Sequence, residues 1–142
     1  GRLVHYLGEF GTGSKMKYIA NLLVAIHNVS AAEAITYGIK AGIDPQLVYD
    51  VIKSSAGTSR MFEVRGPMMV DGKYDEDVSA NHIIMKKDIS VILDYADQIG
   101  CPTPLLSTAG DIHRSALAQG FGLEDTASVC AITDQMAGVK RK

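Results

Sequence analysis

Apolar side chains along most of this chain recur with a helical rhythm. From Ser14 to about Ala41 they return every three or four positions, and Gly42 is the natural stop. Asp44-Pro45 reads as an N-cap followed by proline at the first helical position, opening a helix to about Ser55. Ala56-Gly57-Thr58-Ser59 breaks it, and a short helix over Met61–Val64 precedes Gly66-Pro67. After a polar loop over 71–78, a helix runs from about Asn81 to Ile99, capped by Ser79 or Asn81 and ended by Gly100. Pro102 and Pro104 open the next, Leu105 to Gln119, and a last helix covers Asp125 to Met136. Only residues 2–10 alternate like a strand, and a lone strand has no partner within the chain. The pattern predicts an all-α bundle of five or six helices around a long central one.

Composition changes this picture little. With 142 residues, 46% hydrophobic and 21% charged, the chain fits one globular domain rather than a disordered segment. A net charge of −2 gives no reason to expect a nucleic acid, and Lys140–Lys142 reads as a frayed basic tail. Cys101 and Cys130 are too few for a metal site or a disulfide framework, which points to two small core residues in a reduced, cytoplasmic setting. Asn21, His27 and Asn28 interrupt the longest apolar run, so no membrane span is expected, and no secretory signal is visible.

Candidate chemistry sits where polar residues interrupt apolar surfaces. From Tyr18 to Ala32 the first helix is apolar nearly all round, the mark of a central helix covered on every side. Against that background Lys17, Asn21 and Asn28 share one stripe, and Lys17 and Asn21 are neighbours one turn apart. A cation beside an amide suits a small carboxylate or hydroxyl. Equally, Lys17 snorkels to water and Asn21 caps a neighbouring backbone. Asp88 falls on the apolar side of its helix, with Lys87 at the edge. Such a carboxylate needs a partner, so the pair either pins helix to helix or borders a ligand. His27 reads as a core or interface histidine, while Ser107-Thr108, His113, Glu124 and Asp125 read as caps and surface.

The stretch LGEFGTGSKMKYIANLL (7–23) resembles the catalytic segment of the β-hydroxyacid dehydrogenases, the family of 3-hydroxyisobutyrate, tartronate semialdehyde, L-threonate and, more distantly, 6-phosphogluconate enzymes. Its pattern is a short strand, G-x-G-x-x-x-K, then Asn four residues on; Gly11, Gly13, Lys17 and Asn21 match in register. MKKDISVIL (85–93) is similar to the family's K-D segment, with Lys87 and Asp88 in the matching places, and AGTSRMFEVRGPMM (56–69) to its G-x-S loop and following helix. Two places where the family often has an aromatic hold Arg60 and Ala80, which bears on the shape of the substrate pocket.

The resemblance implies the helical C-terminal half of an NAD(P)-dependent dehydrogenase, like the C-terminal domain of 6-phosphogluconate dehydrogenase. Residues 1–12 would be the tail of a Rossmann domain that the chain otherwise lacks, and 13–142 the substrate and dimerisation domain. It implies Lys17 as general acid/base on a small hydroxyacid, Asn21 and Gly13 at the substrate, and Lys87 and Asp88 at the cofactor. A lysine base needs surroundings that disfavour its ammonium, which an apolar helix beside a bound cofactor provides. Because the Rossmann half would hold most of the cofactor, the chain alone is expected to be inactive, and nothing in it chooses NAD over NADP. Two other readings stand beside this one: a helical oligomerisation module, since an all-round apolar helix suits a homo-oligomer, and a small-acid-binding homologue without catalysis.

Overall fold

The computed structural model describes residues 11–141. The strand expected over 2–10, and with it most of the expected Rossmann tail, lies outside the described residues. Six helices follow in order: α1 (Thr12–Lys40), α2 (Pro45–Ile52), α3 (Arg60–Asp71), α4 (His82–Gln98), α5 (Pro104–Ala118) and α6 (Val129–Ala137), with a 3-10 turn over Thr126–Ser128 before α6. No strand occurs among the described residues; an isolated antiparallel bridge joins Asn81 to Asp125. The all-α bundle around a long central helix is as expected.

Local chemistry accounts for most boundaries. The side chains of Asp44, Ser59 and Asn81 each accept a backbone N–H of the helix they open. Asn81, rather than Ser79, therefore caps α4. α1 begins at Thr12, because Gly11 takes a left-handed φ of 94° at the N-cap, a conformation other residues rarely adopt.

One boundary departs from the expectation. The helix over Met61–Val64 runs on through Gly66 and Pro67 to Asp71. Proline has no N–H for the carbonyl four residues back, here that of Glu63. The Tyr49 hydroxyl of α2 donates to this carbonyl at 2.6 Å instead. Gly66 makes room for the ring: a Cβ there would lie 2.5 Å from the ring carbons of Tyr49. Tyr49 also stacks on Phe62, with centroids 5.6 Å apart. Removal of the hydroxyl in Tyr49→Phe is expected to lower unfolding stability by about 1–2 kcal/mol in urea titration, the cost of an unsatisfied carbonyl. An unchanged midpoint would mean that the proline needs no such compensation.

α1 is the axis, and α2 to α6 all pack on it. Around its N-terminal half Ala25 meets Met85, Ile89, Ile92 and Leu106 of α4 and α5. Around its C-terminal half Ala31, Ala32 and Ile35 meet Phe62, Met69, Val129 and Cys130. α1 is long and apolar enough to cross a membrane by length and composition, contrary to the expectation that its polar residues would interrupt it. Its place among five helices makes it the core helix of the bundle. The expected covering on every side is incomplete: Met16, Ile19, Leu23 and Tyr37 are exposed.

Two further expectations are corrected. Cys130 is buried, but Cys101, in the turn after Gly100, is exposed. Burial pushes the Cys130 thiol up, and the carboxylate of Asp134 adds to this. The basic tail is not frayed at Arg141. Its Nε donates to Asp134 Oδ2 at 2.8 Å and its Nη1 to the carbonyls of Met69 and Val70. Those carbonyls close α3, where no following turn can satisfy them.

Candidate active site

The first turns of α1 carry Gly13, Lys17 and Asn21. Gly13 and Lys17 are exposed, and Asn21 is half-buried. One helical turn brings Lys17 and Asn21 to the same stripe. α4 lies against this half of α1 in the opposite direction, since Tyr18 packs on Tyr95 near the C-terminus of α4 (5.5 Å between centroids) while Ala25 packs near Met85 and Ile89. Lys87 is exposed and Asp88 half-buried on α4. Lys87 stands eight residues before Tyr95, roughly 12 Å along the helix axis from the level of Tyr18. The fold thus joins Lys17 to Asn21 and puts Lys87 and Asp88 on the adjoining helix, too far for one small acid to touch both groups. Beside the stripe a groove of about 310 Å³ runs between α1 and α4, lined by Lys15, Tyr18, Leu22, Ile92, Tyr95 and Ile99. Lys17 is not among its lining residues.

Asp88 forms no ion pair among the described residues, so the reading in which it pins two helices is not realised. Lys17 and Lys87 are also outside every ion pair there. Two exposed cations without carboxylate partners, one beside an amide, fit an anionic substrate and the phosphates of a dinucleotide. Among the described residues no group of three or more His, Cys, Asp or Glu is placed to hold a metal ion.

Asn28, read from spacing as part of the stripe, belongs elsewhere. It is fully buried, donates to Thr126 Oγ1 at 3.1 Å and accepts from Arg65 Nη1 at 3.3 Å. Arg65 Nε in turn donates to Asp125 Oδ1 at 3.0 Å, and Oδ2 of the same carboxylate takes the N–H and hydroxyl of Ser79. Asp125 caps the turn before α6, as expected, but it is buried and not on the surface. This buried polar layer separates the two apolar clusters along α1. It also fixes the loop that leads into α4 against α1 and α3, and so positions Lys87 relative to Lys17.

His113 is likewise buried, contrary to its surface reading. Its Nε2 faces the Ala25 carbonyl at 3.1 Å; a carbonyl only accepts, so Nε2 carries the proton. His82 contacts Ser128 Oγ at 2.7 Å, and the two imidazoles lie 5.4 Å apart. Burial pulls both down to about 4; Asp125 works against this for His82, and the hydrogen bond to the Ala25 carbonyl does so for His113, where His82 and Arg65 reinforce the burial. Both are neutral in the folded chain at pH values where an unfolded histidine, near 6.5, takes a proton. The stability they contribute is therefore complete above pH ~6.5 and is lost as pH falls toward ~4. Urea midpoints measured from pH 7 to 5 are expected to fall steadily, with a shallower slope in His113→Gln. Equal slopes in the two proteins would remove His113 from the acid sensitivity.

A protein-family model described as "NAD-binding of NADP-dependent 3-hydroxyisobutyrate dehydrogenase" matches residues 11–133. L-threonate dehydrogenase of Cupriavidus necator is 39% identical over 132 residues, which are 93% of this chain and 44% of that protein. Mitochondrial 3-hydroxyisobutyrate dehydrogenase of Bos taurus is 35% identical over 136 residues, covering 91% of this chain and 40% of its own length. Among solved structures, 3-hydroxyisobutyrate dehydrogenase of Salmonella typhimurium superposes with a TM-score of 0.81 at 39% identity, over 86% of this chain and 42% of that one. The chain thus spans less than half the length of these relatives. Since the matched region takes in the G-x-G-x-x-x-K segment, the K-D helix and the helices that join them, the chain belongs to the β-hydroxyacid dehydrogenase family.

Proposed function

We propose that this chain is the helical C-terminal domain of an NAD(P)-dependent dehydrogenase that interconverts a small β-hydroxyacid and its semialdehyde or keto form. Residues 1–12 end a preceding Rossmann domain, and 13–142 carry the substrate and subunit contacts. The observation that supports this is Lys17, in no ion pair among the described residues, with Asn21 at the exposed end of α1, beside the helix that bears Lys87 and Asp88. That end is exposed in the described chain, as a surface to be closed by the cofactor domain would be.

The nicotinamide, when bound, supplies the hydride. This chain holds the substrate and moves its proton. Asn21 and the backbone at Gly13 orient the acid, and the Lys17 ammonium donates to the carbonyl oxygen in reduction and regains the proton from the hydroxyl in oxidation. Lys87 meets a phosphate of the cofactor as a point charge, and Asp88 steadies its neighbour Lys87 electrostatically. Closure of the second domain over this face excludes water from the reacting atoms.

A direct test places the Rossmann half of the Cupriavidus relative in front of residue 13 and follows NAD(P)H oxidation with short semialdehydes and hydroxyketo acids. Turnover in the fusion, with none in the isolated chain, is the expected result. A folded fusion that binds cofactor and a small acid but turns nothing over would identify a binding homologue instead. In the active fusion, Lys87→Ala is expected to weaken cofactor affinity about tenfold, the loss of one charge-assisted contact. A variant that lost only thermal stability would return Lys87 to a structural role.

A further inference from the structure

We propose that the crevice between α4 and α5 is a binding site for a small hydroxylated monoanion, of the class of short polyhydroxy carboxylates. A short turn over 99–103 returns α5 antiparallel to α4. Gly110 of α5 packs so closely on α4 that a Cβ there would lie 3.3 Å from Ile89 Cγ2. Beside this contact, where Gly110 has no side chain to fill the space, a hollow of about 220 Å³ remains. Because the helices run antiparallel, Lys86, three residues before Ile89, and Arg114, four beyond Gly110, stand at the same end of it. Ser90 and Asp111 lie at its middle, and Ser107 toward the other end.

The lining selects by charge and by hydrogen bonding. Lys86 is exposed and in no ion pair among the described residues. Arg114 pairs with Asp111, but both are about two-thirds exposed, and water competes for such a contact. Two cations and one carboxylate leave a single net positive charge, which suits one carboxylate group rather than a polyphosphate. Ser90 and Ser107 present hydroxyls from the two walls, and Asp111 presents an acceptor; ligand hydroxyls match these, and an alkyl chain does not. His113, also in the lining, is 2% exposed. Its Nε2 is committed to the Ala25 carbonyl, and its Nδ1 is buried with no hydrogen-bond partner among the described residues. With the proton on Nε2, that Nδ1 is a bare acceptor, and a ligand hydroxyl at this wall is the donor it lacks. The hollow exceeds the roughly 150 Å³ that encloses a benzene ring, so it takes about six to ten non-hydrogen atoms. Lys87, about 100° further round α4, does not line it. The site is thus separate from Lys17, Asn21 and Lys87, and it stands or falls independently of the proposed function.

An amide NMR titration of the 142-residue chain with glycerate, butyrate, glycerol and glycerol 3-phosphate, at constant ionic strength, tests it. Glycerate is expected to give saturable shifts at Lys86, Ser90, Gly110 and Arg114, with a dissociation constant of a few millimolar or below. The other three compounds should bind about tenfold more weakly or worse. The His113 Nδ1 resonance should move with the same midpoint as those amides. Lys86→Ala and Arg114→Gln, both at exposed positions, are each expected to weaken glycerate about tenfold, with circular dichroism checking the fold. The proposed function gives a second place for such an acid, and Lys17→Ala separates the two: the α4–α5 shifts should persist in that variant. Shifts confined to Lys17 and Asn21 overturn the site, as does the absence of saturation up to about 20 mM. So does butyrate or glycerol 3-phosphate binding as tightly as glycerate, or glycerate binding indifferent to both Lys86→Ala and Arg114→Gln.

Discussion

Lys17→Ala in the assembled dehydrogenase is expected to reduce kcat by at least about a hundredfold, with cofactor affinity nearly intact. General acid–base groups contribute about 10²–10⁴ in rate, and loss of a proton donor used only in the transition state lowers kcat and kcat/KM together. The side chain is exposed and outside every ion pair of the described residues. Its removal should therefore leave unfolding stability within about 0.5 kcal/mol. This separates a catalytic loss from a folding defect. Steady-state kinetics with urea unfolding on the same preparation make the comparison. Unchanged turnover would remove Lys17 from the mechanism; an equal fall in turnover and stability would make it structural.

The largest stability effect should come from Asp125→Ala. The carboxylate accepts from Arg65 Nε, from the Ala127 N–H at 2.9 Å and from both polar groups of Ser79. Both members of the ion pair are buried. Removal of one partner strands the guanidinium away from water, at a cost of about 3–5 kcal/mol. Against a typical domain stability of about 5–15 kcal/mol this is a large share. Asp111→Ala provides the contrast, because its pair with Arg114 is about two-thirds exposed on both sides. Such a pair contributes below about 1 kcal/mol. Chemical denaturation of the two variants should differ several-fold in effect. Equal losses would show that the polar layer does not hold the bundle.

Helix order and type were legible because capping residues and apolar periodicity agree along most of the chain. Where they failed, a contact distant in sequence had intervened. Pro67 reads as a stop until Tyr49, eighteen positions earlier, supplies the missing donor. That Lys17 and Asn21 are neighbours was legible because one turn of helix relates them. Asn28 shares that spacing and was misassigned, since the wheel does not show that Arg65 and Thr126 surround it. Asp125 and His113 sit in stretches that look polar and ordinary. Their burial follows from the packing of the late helices against α1, which no local pattern encodes. The lone signal was the arginine inside α3, flanked by Val64 and Gly66, where a charge has need of a partner.

The order of manufacture follows from one of these distant ties. Asn28 bonds to Thr126 and Thr36 to Asp134, each across 98 positions of sequence, so α1 leaves the ribosome well before α6 and waits for it. At about 5–20 residues per second, a greasy rod long enough for a bilayer stands uncovered for several seconds of synthesis. Chaperone capture or nascent aggregation should fall within that interval, and translation halted after α5 should leave a product that never closes.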